Sequence, residues 1–231
     1  FPPYRWSALE RELGLFRSDR RPKPVLRELS RFSRWLDTLP FSSLPHRLTE
    51  AVCLLTREQD TWGAAYSAMI LARQAHVDLV FRQAEQPLPD APLYLLPSVH
   101  GASPLSQQAW ESLLDRVVHG ATLYLSLHDA FLSPFHAPLG ITITSRSKRT
   151  GPAQIRFAAD PALSFSLPAI YRHELALLPQ AKILARDETD QPVFIEVPCG
   201  KGRVFLLTLP LETTLAGIPG CFHLPSAPPV W

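Results

Sequence analysis

Polar and aromatic side chains that could bind a ligand follow three stretches with the composition of buried β-strands. They are Arg57, Glu58, Asp60 and Trp62 after the first strand, Ser98 and His100 after the third, and His128 and Asp129 after the fourth. Carboxyl ends of parallel strands meet at one sheet edge, where ligands bind in open α/β folds, so we expect these residues to be neighbours. Trp62 or Phe131 could stack on a sugar ring, while the carboxylates and His128 could hydrogen-bond hydroxyl groups. The alternative is that they are helix caps and domain-interface contacts.

Three chemistries known on such sheets are disfavoured by the residues at these positions. A glutamine amidotransferase needs a cysteine on a strained turn after a strand, whereas Cys53, Cys199 and Cys221 lie elsewhere. A flavin site would need Ser, Thr or Gly after the first strand, where carboxylates within 57–60 would instead repel a phosphate. A phosphorelay receiver would need an aspartate at the end of the third strand, where 97–98 is Pro-Ser.

The residues at these positions allow three other catalytic arrangements. Glu58 and Asp60 could form an acid and base pair, but their spacing favours a cluster that caps a helix. Metal ligation by His100, His128 and His136 lacks a recognised ligand spacing. A hydrolase that uses Ser98 as its nucleophile is a third hypothesis. We therefore expect no catalytic residue, metal or cofactor in this chain.

Composition indicates an ordinary globular protein. The 231 residues are 46% hydrophobic and 19% charged, and the formal net charge of +2 gives no basis for expecting nucleic acid as a partner. Arg146, Lys148 and Arg149 form a short basic cluster that we expect in a solvated loop. Three cysteines argue against a disulfide framework and favour the cytoplasm. No apolar run approaches the ~20 residues that cross a bilayer, so no membrane partner is expected.

The chain after residue 50 first alternates between strand and helix patterns. Apolar runs predict strands at 51–56, 77–81, 92–96 and 121–127, with helical spacing over 64–75 and 104–119. Asp60 or Thr61 is expected to cap the first helix, and Ser103 the second. This order predicts an α/β fold that is flavodoxin-like, or class I amidotransferase-like, with a mainly parallel sheet.

The second half is richer in strands. Short apolar runs predict strands at 141–144, 154–157, 163–167, 181–186, 193–197 and 203–209. The turn residues of 198–202 predict a β-hairpin over 192–209. We therefore expect an antiparallel β extension of the parallel sheet.

The first forty residues have the pattern of two helices. Ser7 and Glu10 have capping-box spacing and Gly14 fits a C-cap, which predicts a helix over 8–13. A second helix follows Pro24. Its apolar stripe consists of Val25, Leu26, Leu29, Phe32, Trp35 and Leu36. The chain starts at Phe1 without a methionine, and we expect a preceding part of a longer protein to cover this stripe.

This N-terminal segment resembles the end of the (β/α)8 barrel in glycoside hydrolases of the cellulase-like clan. The shared pattern is E-x-G-L-x-R-x-D-x-x-x-K-P. It is carried here by Glu12, Gly14, Leu15, Arg17, Asp19, Lys23 and Pro24. The resemblance implies that the catalytic carboxylates lie on barrel strands upstream of residue 1. The alternative is an ordinary helical hairpin at the start of an α/β domain.

Residues 48–216 resemble the domain that follows the barrel in β-galactosidases, often called the trimerisation domain. Pro97 ends a strand, Gly120 and Thr122 fit the end of a helix and the start of the next strand, and 200–212 fits the hairpin. The resemblance implies a non-catalytic accessory domain of a glycoside hydrolase that supports the barrel, shapes the substrate cleft or mediates oligomerisation. The expected partners are the upstream barrel, a second copy of the chain and a carbohydrate.

The expected domain organisation has three parts. Residues 1–40 are a helical remnant of a preceding barrel, 41–50 a linker and 51–231 an amidotransferase-like α/β domain. The alternative function is a stand-alone carbohydrate- or metabolite-binding module.

Overall fold

The computed structural model describes residues 14–17, 19–40, 49–128, 139–160 and 162–222. The chain divides into two compact units, residues 1–47 and 48–231. The helix expected at 8–13 lies outside the described residues. Asp129, Phe131 and His136 also lie outside them.

The first unit contains helix α1, Pro24–Leu36. Lys23 is extended at the N-cap position and Pro24 begins the helix, because a proline there sacrifices no helical hydrogen bond. Phe32 and Trp35 stack with ring centroids 5.6 Å apart, and both are more than half exposed. The described residues of this unit therefore leave the apolar stripe of α1 uncovered. None of the described helices is both long and apolar enough to cross a membrane.

The second unit is a mixed α/β structure of three helices and eleven strands among its described residues. The helices are α2 Thr61–Gln74, α3 Gln107–Val118 and α4 Leu211–Gly217. The strands are β1 Ala51–Leu55, β2 Leu79–Gln83, β3 Leu93–Val99, β4 Thr122–Leu127, β5 Ile141–Lys148, β6 Ala153–Phe157, β7 Ser164–Leu167, β8 Tyr171–Leu177, β9 Lys182–Arg186, β10 Pro192–Cys199 and β11 Gly202–Leu207.

Nine of these strands form one sheet in the order β2-β1-β3-β4-β11-β10-β9-β6-β7. The first five strands are parallel. From β11 onward the pairs are antiparallel, and β10 and β11 form the expected hairpin. The α/β class and the antiparallel extension predicted from the sequence are confirmed. Strands β5 and β8 pair separately as a two-stranded sheet.

Helices cover both faces of the parallel half. Alternation along β1 directs Val52 into one core cluster with Trp110 and Leu113 of α3, and Cys53 into another with Ala68 of α2. All five residues of β1 are buried, as a strand covered on both faces requires. The continuous apolar run that begins at residue 51 is explained by this two-sided burial of β1.

Three features of the secondary structure differ from the sequence-based expectation. Ser106, not Ser103, caps α3 by accepting a hydrogen bond from the Ala109 amide at 3.2 Å. Glu85 holds Ser106 in place, because its carboxylate accepts from the Ser106 amide and hydroxyl at 2.6 and 2.7 Å. Strand β8 and helix α4 were not predicted.

Arg149 is buried, contrary to the expectation of a solvated loop. Its guanidinium donates to Asp187 at 2.9 Å and to Glu188 at 2.8 Å, and Arg172 also donates to Asp187 at 2.8 Å. The other oxygen of Asp187 accepts from the Thr189 amide and hydroxyl at 2.9 and 2.8 Å. A buried charge is tolerated only when it is paired and fully hydrogen-bonded, and this network meets that requirement. Arg146 instead lies 4.3 Å over the Tyr171 ring.

The Asp187 network predicts a dependence of stability on pH. Burial tends to raise the pKa of Asp187, but hydrogen bonds from Arg172 and Thr189 outweigh it and lower this pKa to about 2. Because the pKa in the unfolded chain is about 3.9, the stabilisation is complete above about pH 4 and is lost as the pH falls toward 2. We expect Asp187→Asn to remove roughly 2 kcal/mol of this pH-dependent stability, measured by urea unfolding between pH 7 and 2.

Asp190→Asn is the matched control. Asp190 is exposed and pairs with Arg186 at 3.6 Å, a distance and exposure typical of a weak surface ion pair. It should change the free energy of unfolding by less than about 0.5 kcal/mol. Equal pH profiles for wild type and Asp187→Asn would show that the network does not stabilise the fold.

The hairpin between β10 and β11 packs tightly against the end of α3. Gly200 has φ +60°, in the left-handed region that favours glycine. A Cβ placed on Gly202 would overlap the backbone oxygens of Val117 and Ala121. Backbone atoms cannot move aside as a flexible side chain can, so only glycine fits at position 202.

We expect Gly202→Ala to lower the free energy of unfolding by about 2 kcal/mol. Gly151→Ala is the control, because no atom lies within 4 Å of a Cβ at that position. It should change stability by less than about 0.5 kcal/mol. Guanidinium unfolding of both variants checks the difference, and equal midpoints would contradict the close approach.

Candidate functional site: the carboxyl edge of the parallel strands

The structure gathers most of the predicted site residues at the carboxyl edge of β1, β3 and β4. Arg57, Glu58, Asp60 and Trp62 follow β1, Ser98 and His100 lie at the end of β3, and His128 follows β4. The amide of His128 donates to the Val99 carbonyl at 2.8 Å, which joins the last two of these loops.

Glu58 and Gln59 hold the loop after β1 against the loop after β3. Glu58 has a φ of 62°, and its carboxylate accepts from the Ala102 amide at 3.1 Å. Gln59 accepts from the Thr56 amide at 2.8 Å and donates to the Pro97 carbonyl. The amide of Arg57 donates to the Pro104 carbonyl at 3.0 Å. These side chains bridge two loops, and the Glu58 carboxylate is hydrogen-bonded to the backbone of the protein.

Asp60 caps α2. Its side chain accepts from the Gly63 amide at 3.0 Å, one of the amides that the first turn of a helix leaves without a partner. Of the two caps expected from the sequence, the structure thus selects Asp60 over Thr61. Glu58 thus contacts the loop after β3, whereas Asp60 contacts the first turn of α2.

Ser98 is fully buried and has φ 43°, an uncommon backbone conformation for a residue other than glycine. Its amide donates to the Ser126 hydroxyl at 2.5 Å. Its own hydroxyl donates to Glu212 at 2.8 Å and accepts from the Thr213 amide at 3.1 Å. A nucleophile must reach its substrate, and the burial of this hydroxyl counts against that role for Ser98.

Glu212, in the first turn of α4, is the centre of this network. It is only 2% exposed. One carboxylate oxygen, Oε2, accepts from the hydroxyls of Ser98 at 2.8 Å and Ser126 at 2.6 Å. The other, Oε1, accepts from the hydroxyl of Tyr124 at 2.8 Å. Glu212 therefore connects α4 to the ends of β3 and β4, and the sequence analysis did not single it out.

The buried carboxylate affects two neighbouring titratable groups. Burial, and then the negative charge of Glu212, raises the pKa of the Tyr124 hydroxyl well above its usual value. The same two causes, in the same order, raise the pKa of the Cys53 thiol. Thiolates, not thiols, are nucleophiles and metal ligands, so Cys53 is kept in an unreactive form.

His100 and His128 lie side by side at the outer part of the edge. Their ring centroids are 4.1 Å apart with an interplanar angle of 63°. The Nδ1 atom of His100 is buried and has no hydrogen-bond partner among the described residues. No group of three or more potential metal ligands lies together in the described part of the chain.

An aromatic surface lies beside this edge on α2. Trp62 is 70% exposed and stacks on Tyr66 with centroids 4.9 Å apart and an interplanar angle of 10°. Phe222 contacts Tyr66 edge-on, with centroids 5.7 Å apart. Tyr66 therefore packs against one face of the Trp62 ring, while most of the Trp62 side chain remains exposed.

Solved structures of other proteins share this fold. An exo-β-1,4-mannosidase from Opitutaceae bacterium strain TAV5 matches with a TM-score of 0.68 and 16% identity, over 89% of this chain and 38% of that chain. A β-galactosidase from Rahnella sp. R3 matches with a TM-score of 0.66 and 13% identity, over 84% and 33%. A cytoplasmic protein from Salmonella typhimurium LT2 matches with a TM-score of 0.51 and 14% identity, over 68% and 86%.

The similarity between this chain and these proteins is a similarity of fold. The chain spans about a third of the length of the mannosidase and the galactosidase. No family model matches the sequence, and no curated protein matches it.

The network around Glu212 predicts that removal of the Ser126 hydroxyl lowers the free energy of unfolding. Ser126→Ala removes the acceptor of the buried Ser98 amide and a donor to Glu212. Since unsatisfied buried polar groups are costly, we expect a loss of about 2 kcal/mol in the free energy of unfolding. Ser112→Ala, at an exposed position of α3, should change it by less than about 0.5 kcal/mol. Similar urea midpoints for the two variants would contradict the structural role of Ser126.

Proposed function

We propose that this chain is a non-catalytic accessory portion of a glycoside hydrolase. The observation that carries the proposal is the fold match to a mannosidase and a galactosidase, each of which is about three times as long as the matched region. The match to the mannosidase covers 89% of the chain, a larger share than the second unit makes up. It therefore includes some of the N-terminal residues that resemble the end of a barrel.

The carboxyl edge supports a structural role. Glu58 bridges two loops, Asp60 caps α2 and Ser98 is buried against Glu212. An acid, base or nucleophile must approach the reacting bond within hydrogen-bonding distance, and these groups are already engaged by the protein. In the proposed parent enzyme the carboxylates that cleave the glycosidic bond belong to a barrel encoded upstream.

The proposed role of this domain is to brace that barrel, to shape its substrate cleft or to mediate oligomerisation. The exposed face of Trp62 is the surface on this edge best suited to such contacts, because aromatic rings supply a large contact area at a low entropic cost. The cytoplasm is the proposed compartment.

A stand-alone carbohydrate- or metabolite-binding module is the second candidate. Two observations favour it. The Trp62 and Tyr66 stack is a platform of the kind that binds sugar rings. In addition, the similar Salmonella typhimurium protein is covered over 86% of its length, so this fold also occurs without a large additional domain.

One pair of measurements separates these candidates. The chain alone should not hydrolyse chromogenic glycosides, and calorimetry with mono- and oligosaccharides should detect no saturable binding. Hydrolysis that Glu58→Gln or Asp60→Asn abolishes would overturn the accessory proposal. Saturable sugar binding that Trp62→Ala removes, and that Met69→Ala on the same helix preserves, would favour the stand-alone module instead.

A further inference from the structure

A cavity of about 260 Å³ lies against the sheet between α2 and α4. Its apolar walls are Ala68, Leu71 and Ala72 of α2 and Leu93, Leu95 and Pro97 of β3. Space remains because alanine side chains are too small to fill the gap between this helix and the sheet. Pockets for drug-sized ligands typically measure roughly 300–1,000 Å³, so this cavity suits a smaller molecule.

The two polar residues that line this cavity are Tyr124 and Glu212. Glu212 accepts hydrogen bonds from three hydroxyl groups, and no ion pair of Glu212 is found among the described residues. An ionised carboxylate has about four acceptor positions. Its Oε1 atom accepts only from Tyr124 in the described part of the chain. No described donor therefore occupies the second acceptor position of this oxygen.

Charge and shape together define the ligand that this cavity fits. Burying a carboxylate without a cationic partner is costly, and an ammonium group would supply both the opposite charge and the missing hydrogen bond. The remaining walls are apolar and favour a hydrocarbon body. A neutral alcohol could supply the hydrogen bond and the apolar contact but not the opposite charge. An anion would be repelled by Glu212.

We propose that this cavity is a binding site for a small organic cation, with a primary ammonium group on Glu212 Oε1 and an aryl or alkyl body between α2 and β3. This site is separate from the aromatic surface of Trp62. The inference does not depend on the proposed role in a glycoside hydrolase, because every residue that it uses lies within the second unit.

Phenethylamine is the probe, with 2-phenylethanol and 3-phenylpropionate as neutral and anionic counterparts. The amine is protonated at pH 7, since simple alkylamines have pKa values of about 10. Calorimetry at pH 7 and low salt should show one-to-one binding of the amine, with the alcohol at least about tenfold weaker and the carboxylate weaker still. No saturable amine binding, or equal affinity for amine and alcohol, would overturn the proposal.

Two variants locate the site. Glu212→Gln keeps the size of the side chain, removes its charge and should abolish the preference for the amine. Glu111→Gln, at an exposed position of α3, is the control and should leave the affinity unchanged. Ala72→Leu fills the cavity while it retains Glu212, so it should abolish binding even if Glu212→Gln does not fold. Unchanged amine affinity in Ala72→Leu would show that the probe binds elsewhere.

Discussion

The carboxylate of Glu212 must be satisfied inside the protein, and this constraint determines the structure at the carboxyl edge of the sheet. Its donors are hydroxyls from β3 and β4, and the adjacent Thr213 amide in turn donates to Ser98. The short helix α4 is thereby fixed against two central strands. Ser98 at the end of β3 and Ser126 in β4 thus connect this helix to the carboxyl edge of the parallel strands.

In the antiparallel half, too, buried charged groups are satisfied inside the protein, here by an ion pair. Arg149 and Asp187 are both buried, and each is acceptable because the other is present. Tight backbone packing joins the two halves, since Gly202 at the start of β11 lies against the end of α3. The sheet changes from parallel to antiparallel at β11. The network around Glu212 stabilises the parallel half, the network around Asp187 stabilises the antiparallel half, and the Gly202 contact lies between them.

The sequence predicted the parallel strands because two-sided burial produces continuous apolar runs, as in β1. It missed β8, whose residues YRHELAL mix polar and apolar types, and α4, which is too short for helical periodicity to show. Asp60 was recognised as a cap because its partner lies three residues away. Glu212 was not recognised, because its hydroxyl partners lie 86 to 114 residues away and no local pattern records such a contact.

Amide hydrogen exchange at Ser98 tests most directly whether the hydrogen-bond network around Glu212 stays intact in the native state. Its amide donates to the Ser126 hydroxyl inside the network around Glu212. The account predicts that it exchanges about as slowly as the amides of the central strands, through global unfolding alone. Exchange at the rate of an exposed loop amide would show that this network opens in the native state. It would contradict the claim that Glu212 fixes α4 against the sheet.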